Sequence, residues 1–288
     1  MVQLADGDIK TREVLDWKGV HLFHFMGSSC SQKARIFLNL KGIPWESHLV
    51  DIRGNENFRA RYLGINPRGL LPCLVLDGAV HIESNDIMAV LEEKYPEPKL
   101  IPAGRETEIA ELLEHEDNLH LDLRTLSFRF AFGRTDGPPK PAAALETYRN
   151  GGSGTVLGRV DANKAREIDF WERKTAEGFT DEASRISALK FQAAYEKLDG
   201  DLADNDHLLG DALTVLDIAW YIYTSRLKMA GYPFDRLHPN VAAWRDKLHE
   251  RPEFSKEIEM PPPAVEALTA LHKKQEQESA TLAQVVGF

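Results

Sequence analysis

The segment at residues 73–82, CLVLDGAVHI, restricts the possible folds of this chain more than any other segment. Asp77-Gly78 separates two short apolar runs, a pattern that predicts a tight hairpin between antiparallel strands. A strand candidate at residues 21–25, a helix at 29–41 and a second strand candidate at 46–51 come before it. A helix that starts at Ser84 and stops before Pro96 follows it. The order βαβ, a connecting segment and ββα predicts an α/β domain with a mixed sheet.

The second half of the chain is predicted to be all-α. Residues 95–104, YPEPKLIPAG, contain three prolines and form the best linker candidate. Beyond them, apolar residues at steps of three and four predict a long amphipathic helix over 108–132. Further helices are expected at 162–177, 181–200, 214–230, 238–249 and 263–280.

Residues 133–160 interrupt this pattern with PPKP and a Gly-Gly-Ser-Gly run. We expect an inserted loop there, flexible or lid-like, within an insert at 133–180. The predicted organisation is as follows: an N-terminal extension at 1–19, an α/β domain at 20–94, a linker at 95–104, a helical domain at 105–259 and a tail helix at 260–288.

Composition excludes several classes of protein. The 35 Lys and Arg against 45 Asp and Glu give a net charge of −10, which argues against nucleic acid as a partner. No apolar run approaches the roughly 20 residues that span a bilayer, so no membrane partner is expected. Residues 1–19 lack a signal-peptide pattern, and a cytoplasmic location is expected. Two cysteines exclude a disulfide framework, and the ten histidines show no recognised metal-ligand spacing, so no metal site is predicted.

Three motifs occur in a fixed order: Gly-Ser-Ser-Cys at 27–30, Asn-Pro-Arg-Gly-Leu-Leu-Pro at 66–72, and Glu83-Ser84. With them, the sequence resembles the glutathione S-transferase superfamily from about Val20 to Glu259. The resemblance implies a thioredoxin-like first domain, a helical second domain, glutathione as co-substrate and a homodimer. It leaves the insert and both tails uncovered.

The resemblance assigns two groups of glutathione-binding residues. Leu71, before a cis Pro72, is expected to pair its backbone with the cysteinyl part of glutathione. Glu83 and Ser84 are expected to hold the γ-glutamyl end, because a helix N-terminus favours a carboxylate. The alternatives are an ordinary trans-proline turn and a plain N-cap serine.

The first loop supplies the catalytic candidates Ser28, Ser29 and Cys30. A hydroxyl at a helix N-terminus can donate a hydrogen bond that keeps glutathione as the thiolate, the nucleophilic form. Ser28 lies seven residues before Arg35, where the family's catalytic Ser or Cys usually stands. Cys30 is either an accessory thiol or a packed residue of the first helix, and Cys73 is expected in the sheet core.

The Ser-Ser-Cys-Ser string resembles the zeta class, which isomerises maleylacetoacetate or dehalogenates small acids. The insert and tail resemble instead the bacterial β-etherases, in which glutathione displaces a phenolate from an aryl ether. The expected activity is therefore that of a glutathione transferase acting on a hydrophobic, aromatic electrophile. A zeta-like isomerase and a noncatalytic glutathione-binding scaffold are the alternatives.

The second substrate is expected between the first domain and the helix at 108–132. The candidate lining residues, which could equally be packing residues, are His120, Arg124, Phe128 and Tyr221. Thr214 and Asp217 form the expected capping box of a central, apolar helix, and we assign them a structural role.

Overall fold

A computed structural model describes residues 2–134 and 140–288. The strands are β1 (Val2–Gln3), β2 (Val20–His24), β3 (Glu46–Leu49), β4 (Cys73–Leu76), β5 (Ala79–Ile82), β6 (Thr155–Val156) and β7 (Arg159–Val160). The helices are α1 (Ser29–Lys41), α2 (Ala60–Leu63), α3 (Ser84–Lys94), α4 (Glu106–Asn118), α5 (His120–Leu126), α6 (Ala142–Asn150), α7 (Ala162–Glu177), α8 (Asp181–Asp201), α9 (Val215–Met229), α10 (Phe234–Leu237), α11 (Pro239–His249), α12 (Pro252–Ile258), α13 (Pro262–Gln277) and α14 (Leu282–Val286). A π-helical segment, Ser127–Ala131, follows α5.

These elements form two compact units. Within the described residues, the first unit comprises 2–98 and 140–176, and the second comprises 99–134 and 177–288. The first contains the five-stranded sheet β1-β5-β4-β2-β3, in which β2 and β3 are parallel and the other neighbours are antiparallel. The second is helical, so the predicted fold class, a thioredoxin-like domain plus an all-α domain, is confirmed.

The β4–β5 hairpin forms as the sequence predicts. Asp77 and Gly78 both have positive φ, 51° and 88°, the backbone that a two-residue hairpin turn requires. A Cβ built on Gly78 would lie 2.2 Å from the carbonyl oxygen of Leu15, which crosses the turn. Glycine is therefore required at this position by both its φ and the close approach of the N-terminal segment.

Strand register brings three loops to one end of the sheet. Phe23 of β2 pairs with Cys73 of β4, and Cys73 pairs with Ile82 of β5. β2 and β5 therefore end where β4 begins. The segments that directly follow β2, precede β4 and follow β5 leave the sheet together at this end.

The N-terminal segment is part of the first unit's core, which the prediction of an appended extension missed. β1 pairs with β5 through Val2 and Ile82. Leu4, Ile9 and Val14 are buried and share one apolar cluster with the sheet. Their burial stabilises the packing of this segment against the sheet, because apolar surface on both sides is removed from water.

Most of the predicted insert, residues 140–176 of those described, packs with the first unit rather than with the helical domain in which the sequence analysis placed it. Helix α6, the β6–β7 hairpin and helix α7 occupy most of it, and the helix predicted at 162–177 is confirmed. Tyr148 of α6 is fully buried and stacks on Phe58, with ring centroids 4.2 Å apart, and Val156 joins the sheet's apolar cluster. The Gly- and Pro-rich composition of this segment predicts a loop and does not indicate these long-range contacts. Residues 135–139 of the predicted insert lie outside the described residues.

In the second unit, α9 is central and its capping box forms as predicted. The helix expected at 108–132 is divided at Leu119 into α4, α5 and the π-helical segment. The expected tail helix at 263–280 forms as α13, and the short helix α14 follows it. Gln275 of α13 donates to the carbonyl of Phe130 at 3.2 Å, and Leu282 of α14 is fully buried.

Among the described residues, no helix combines the length and the apolar character needed to cross a bilayer.

Candidate functional site

The loop between β2 and α1 places Ser28, Ser29 and Cys30 at a helix N-terminus. Ser28 is the N-cap residue, and its Oγ accepts a hydrogen bond from the backbone N–H of Ser31 at 3.3 Å. Ser29 and Cys30 lie in the first turn of α1, and all three side chains are partly exposed. The positive end of the helix dipole at this turn favours a thiolate placed against it.

The side chain of Arg35 fixes the position of this loop through hydrogen bonds to its backbone. Its guanidinium is buried and donates to the carbonyl of Phe25 at 3.2 Å and to that of Met26 at 3.1 Å. It also donates to Nδ1 of His24 at 3.2 Å, so the proton of that ring lies on Nε2, 2.7 Å from Ser47 Oγ. Burial, together with the charge of Arg35, lowers the pKa of His24 to about 4. His24 is therefore a neutral, structural ring at neutral pH.

The Leu71–Pro72 peptide bond is cis, as expected. The preceding loop is held by hydrogen bonds to its carbonyl groups. Tyr62 Oη and Asn66 Nδ2 both donate to the carbonyl of Leu70, at 2.6 and 2.9 Å, and Asn57 Nδ2 donates to that of Gly69 at 2.7 Å. The backbone at Leu71 is therefore presented by a fixed loop.

Glu83 and Ser84 lie at the junction of β5 and α3. Glu83 is the N-cap residue of α3 and has a φ of 69°, an uncommon conformation for a residue with a side chain. Such outliers concentrate at ligand sites. Ser84 begins the helix and is buried. Glu83 and the cis Pro72 flank the β4–β5 hairpin at the end of the sheet that also carries Ser28.

Arg68, inside the proline motif, connects Glu83 to the insert. Its Nη1 donates to Glu83 Oε1. Its Nε and Nη2 donate to the two carboxylate oxygens of Asp161, at 3.0 and 2.9 Å. The side chains of Arg68 and Asp161 are each only 9% exposed. Such bidentate, largely buried pairs have defined geometry, so the insert contributes directly to the surroundings of Glu83.

Sequence reasoning missed Arg68, Asp161 and Tyr148 as parts of this site. Tyr148 Oη donates to the carbonyl of Arg68, which fixes the same loop from the insert side. The sequence indicated only a helix-capping role for Asp161, because this residue directly precedes the predicted helix at 162–177. In the structure it accepts from the N–H of Lys164 at 3.2 Å, as an N-cap residue does. Its partner 93 residues earlier in the chain could not be identified that way.

Strand pairing also brings together a group of potential metal-ligand side chains that the sequence analysis did not identify. His21 on β2 and Glu46 and His48 on β3 bring one ligand atom each within 4.8 Å of one another. Sequence spacing did not indicate this group, because the residues meet only through the pairing of two strands. Cys73 is buried in the sheet core as expected, and burial raises the pKa of its thiol.

The four predicted second-substrate residues all belong to the second unit. His120 and Arg124 lie together on α5, with Arg124 Nη2 3.2 Å from His120 Nε2, and Tyr223 Oη lies 3.0 Å from His120 Nδ1. Phe128 lies in the π-helical segment and stacks on Phe179, with centroids 5.5 Å apart.

Tyr221 lies on α9 rather than on α5 or the π-helical segment. It is fully buried and its hydroxyl lies 2.8 Å from His249 Nδ1, with Phe254 packed edge-on against its ring. Burial raises the pKa of this phenol to about 12. These surroundings give Tyr221 a packing role in the unit's core.

Two family models match the chain. The N-terminal domain model of the glutathione S-transferases matches residues 27–94, and the C-terminal domain model matches residues 181–247. The N-terminal match contains the serine loop, the cis-proline loop and Glu83-Ser84. The C-terminal match begins after the insert.

Related sequences share the first of these regions. A zeta-class glutathione S-transferase of Euphorbia esula is 44% identical over 82 residues, which is 28% of this chain and 36% of that protein. A maleylpyruvate isomerase of Ralstonia sp. is 40% identical over 82 residues, or 28% of this chain and 39% of that protein. The matched region thus spans less than two fifths of either relative.

Solved structures share the fold over much more of the chain. The β-etherase LigF of Sphingobium sp. strain SYK-6 superposes with a TM-score of 0.63 at 23% identity, over 83% of this chain and 98% of that one. A zeta-class bacterial maleylpyruvate isomerase superposes with a TM-score of 0.54 at 23% identity, over 82% of this chain and 95% of that one. The two domain models support membership of the glutathione S-transferase superfamily, and these likenesses at 23% identity show the shared fold.

Proposed function

We propose that this protein binds glutathione at the end of the five-stranded sheet and directs its thiolate at a hydrophobic, aromatic electrophile. The observation that supports the proposal is the register Phe23–Cys73–Ile82. It brings the loops bearing Ser28, Pro72 and Glu83 to one end of the sheet. Each loop carries a residue type that suits a different part of the tripeptide.

The backbone of Leu71 pairs with the cysteinyl part of glutathione in this proposal. The γ-glutamyl carboxylate lies at the N-terminus of α3 beside Ser84, where free N–H groups and the helix dipole favour an anion. Glu83 accepts from the ligand's ammonium group. Arg68 fixes the Glu83 carboxylate and is fixed in turn by Asp161.

Ser28 stabilises the thiolate. Its oxygen accepts from the N–H of Ser31, which leaves its own proton for donation to sulfur. A hydrogen bond to sulfur that becomes stronger as negative charge develops lowers the pKa of the glutathione thiol. The nucleophile therefore stays ionised at neutral pH.

The favoured reaction is cleavage of an aryl ether. The thiolate attacks the carbon that bears the aryloxy group, a C–S bond forms, and the C–O bond breaks with its electron pair leaving on the phenolate. The phenolate then takes a proton from water. The fold shared with the β-etherase LigF supports this choice.

Isomerisation of a maleyl substrate is the second candidate, and the 40% identity to a maleylpyruvate isomerase supports it. Here the thiolate adds to a carbon–carbon double bond, the bond rotates, and the thiolate is eliminated. Glutathione is regenerated in isomerisation and consumed in ether cleavage. Measuring free thiol during turnover of an aryl-ether model compound and of a maleyl substrate separates the two.

Replacing Ser28 tests the site itself. We expect Ser28→Ala to reduce kcat by about 10²-fold, the typical effect of losing one donor to a developing anion, with little change in glutathione affinity. The thiol pKa of bound glutathione, followed by ultraviolet absorbance against pH, should return toward its solution value. Ser29→Ala and Cys30→Ala are the matched controls and should retain the wild-type thiol pKa.

Three results would contradict this assignment. Full activity in Ser28→Ala would transfer the role to Ser29 or Cys30, depending on which control loses activity. Absence of a thermal shift with glutathione would reject binding altogether, because a ligand at 100 times its Kd stabilises by about 2.7 kcal/mol. Binding without turnover on any substrate would support the noncatalytic scaffold.

We also propose a two-fold homodimer, as the family resemblance implies. Light scattering coupled to size-exclusion chromatography tests this proposal against the 32.4 kDa mass of one chain.

A further inference from the structure

The structure assigns a binding site for a divalent transition-metal ion of the zinc class to His21, Glu46 and His48. The site lies on the first unit's sheet, at the edge formed by β3. None of its three side chains takes part in the proposed glutathione chemistry.

Strand pairing brings the three ligands to one face of the sheet. His21 pairs with Glu46, and Phe23 pairs with His48, in the parallel register of β2 and β3. Alternate residues of a strand point to the same face, so Glu46 and His48 project on the side of His21. Because β3 is the edge strand of the sheet, solvent can supply the remaining ligands.

The distances match tetrahedral coordination. His21 Nδ1 lies 3.1 Å from His48 Nε2 and 3.4 Å from Glu46 Oε2. Two ligand atoms at about 2.0–2.1 Å from Zn²⁺, separated by a tetrahedral angle, are about 3.3–3.4 Å apart. The observed separations therefore need only small changes of the side chains to enclose an ion.

The imidazole of His21 is already in the tautomer that a metal needs. Its Nε2 lies 2.9 Å from the carbonyl oxygen of Lys18, which can only accept, so the ring proton is on Nε2. Nδ1 then accepts from Nε2–H of His48, and coordination by both rings requires His48 to carry its proton on Nδ1 instead. A backbone carbonyl that holds the second nitrogen is the usual support of a metal-bound histidine.

Trp17 holds both rings in place. Its ring centroid lies 4.7 Å from that of His21 and 4.8 Å from that of His48, and it stacks on His48 with an interplanar angle of 20°. Such packing reduces the entropy lost when two side chains converge on an ion. Arg61, whose charge acts on His48, is itself paired with Glu13 at 2.7 Å.

The ligand set indicates the class of ion. Two imidazole nitrogens disfavour Mg²⁺ and Ca²⁺, which prefer oxygen ligands, and favour Zn²⁺, Co²⁺, Ni²⁺ or Cu²⁺. Three protein ligands with open positions toward solvent leave room for water or an exchangeable anion. His48 also lines a cavity of about 330 Å³ together with Phe23, Arg59 and Tyr62.

The experiment uses the full-length protein without an affinity tag, freed of metal with a chelator and then dialysed against Zn²⁺. We expect one tightly held Zn²⁺ per chain. Co²⁺ in its place should give the visible absorption of a four- or five-coordinate ion with nitrogen and oxygen ligands. It should also quench tryptophan fluorescence, and Trp17→Phe should remove most of that quenching.

Two variants and a matched control test the ligands Glu46 and His48. Glu46 has a side chain that is 72% exposed, so Glu46→Gln keeps the fold and should weaken Zn²⁺ binding at least about tenfold. His48→Asn should weaken it further. The matched control is His115→Asn, which removes an exposed histidine of the second unit.

Absence of stoichiometric Zn²⁺ in the wild-type protein would overturn the assignment. Equal affinities in Glu46→Gln, His48→Asn and His115→Asn would overturn it as well, since the ion would then bind elsewhere. If His48→Asn fails to fold by circular dichroism, Glu46→Gln decides the result alone.

Discussion

At the scale of single residues, the carboxylate of Asp217 accepts several buried hydrogen bonds in the second unit. It accepts from the N–H groups of Leu208 and Thr214 at 3.0 and 2.8 Å, and from Trp244 Nε1 at 3.1 Å. The side chain is fully buried. It therefore joins the loop before α9, the start of α9 and helix α11.

We expect Asp217→Ala to destabilise the protein strongly. The change leaves several buried donors without this acceptor, and each such group costs about 1–3 kcal/mol. A total loss of about 3–5 kcal/mol is expected, visible as a large drop in Tm. Asp217→Asn, which keeps one acceptor oxygen, should lose less. An unchanged Tm in Asp217→Ala would refute the structural role.

At the scale of elements, the carboxylate of Asp8 in the N-terminal segment binds the β6–β7 hairpin through several hydrogen bonds. Asp8 is buried and accepts from the N–H groups of Leu157 and Gly158 at 2.7 and 3.3 Å, and from Thr155 Oγ1 at 2.7 Å. Burial alone would raise the pKa of Asp8, but these hydrogen bonds to the ionised form lower it below its ordinary value.

A pH dependence of stability follows. A folded-state pKa below the unfolded value of about 3.9 means that ionised Asp8 stabilises the fold above that pH, and that this contribution is lost as pH falls through the folded pKa. Asp8→Asn should therefore reduce the free energy of unfolding at pH 7, by about 1–3 kcal/mol. The difference from wild type should shrink below about pH 4.

Urea denaturation across this pH range measures the effect. Asp6→Asn is the matched control, because Asp6 lies on the same 3₁₀ turn with an exposed side chain, and should differ little from wild type. A difference between Asp8→Asn and wild type that does not vary with pH would show that the carboxylate's charge is not what holds the hairpin.

The elements also show what sequence can predict. The hairpin at residues 73–82 and helix α1 were predictable because turn and cap residues act locally: Asp77-Gly78 sets the turn, and Ser28 and Gly42 lie at the two ends of the helix. The division of the predicted 108–132 helix near Leu119 was not predictable, because the spacing of apolar residues continues across it. The contacts of Asp8 with residues 155–158 join segments about 150 positions apart, which no local pattern encodes.

The residues of the candidate site also fall into two groups, those that the sequence predicts and those that it does not. Ser28, Pro72, Glu83 and Ser84 were predictable because each belongs to a short motif that resembles a known family. The sequence did not predict Asp161 or the group formed by His21, Glu46 and His48. These residues meet their partners only through tertiary packing or strand pairing.

At the scale of the whole molecule, the chain runs through the first unit, enters the second, returns for residues 140–176 and enters the second again. The returning segment supplies Tyr148 and Asp161 to the loop that carries Arg68. We therefore propose that this segment is a structural part of the first unit rather than a mobile lid.

Hydrogen exchange on the full-length protein tests this organisation. Amides of α6 and α7 should exchange in the slow class with those of β2 and β4, because packed elements open together. Asp161→Asn should accelerate exchange in residues 140–176 and 66–72, since Arg68 loses its bidentate partner, and should leave α9 unchanged. Asp169→Asn is the control, as Asp169 is an exposed residue of α7. Fast exchange of α6 and α7 in the wild type would instead restore the sequence-based interpretation of the insert as a lid.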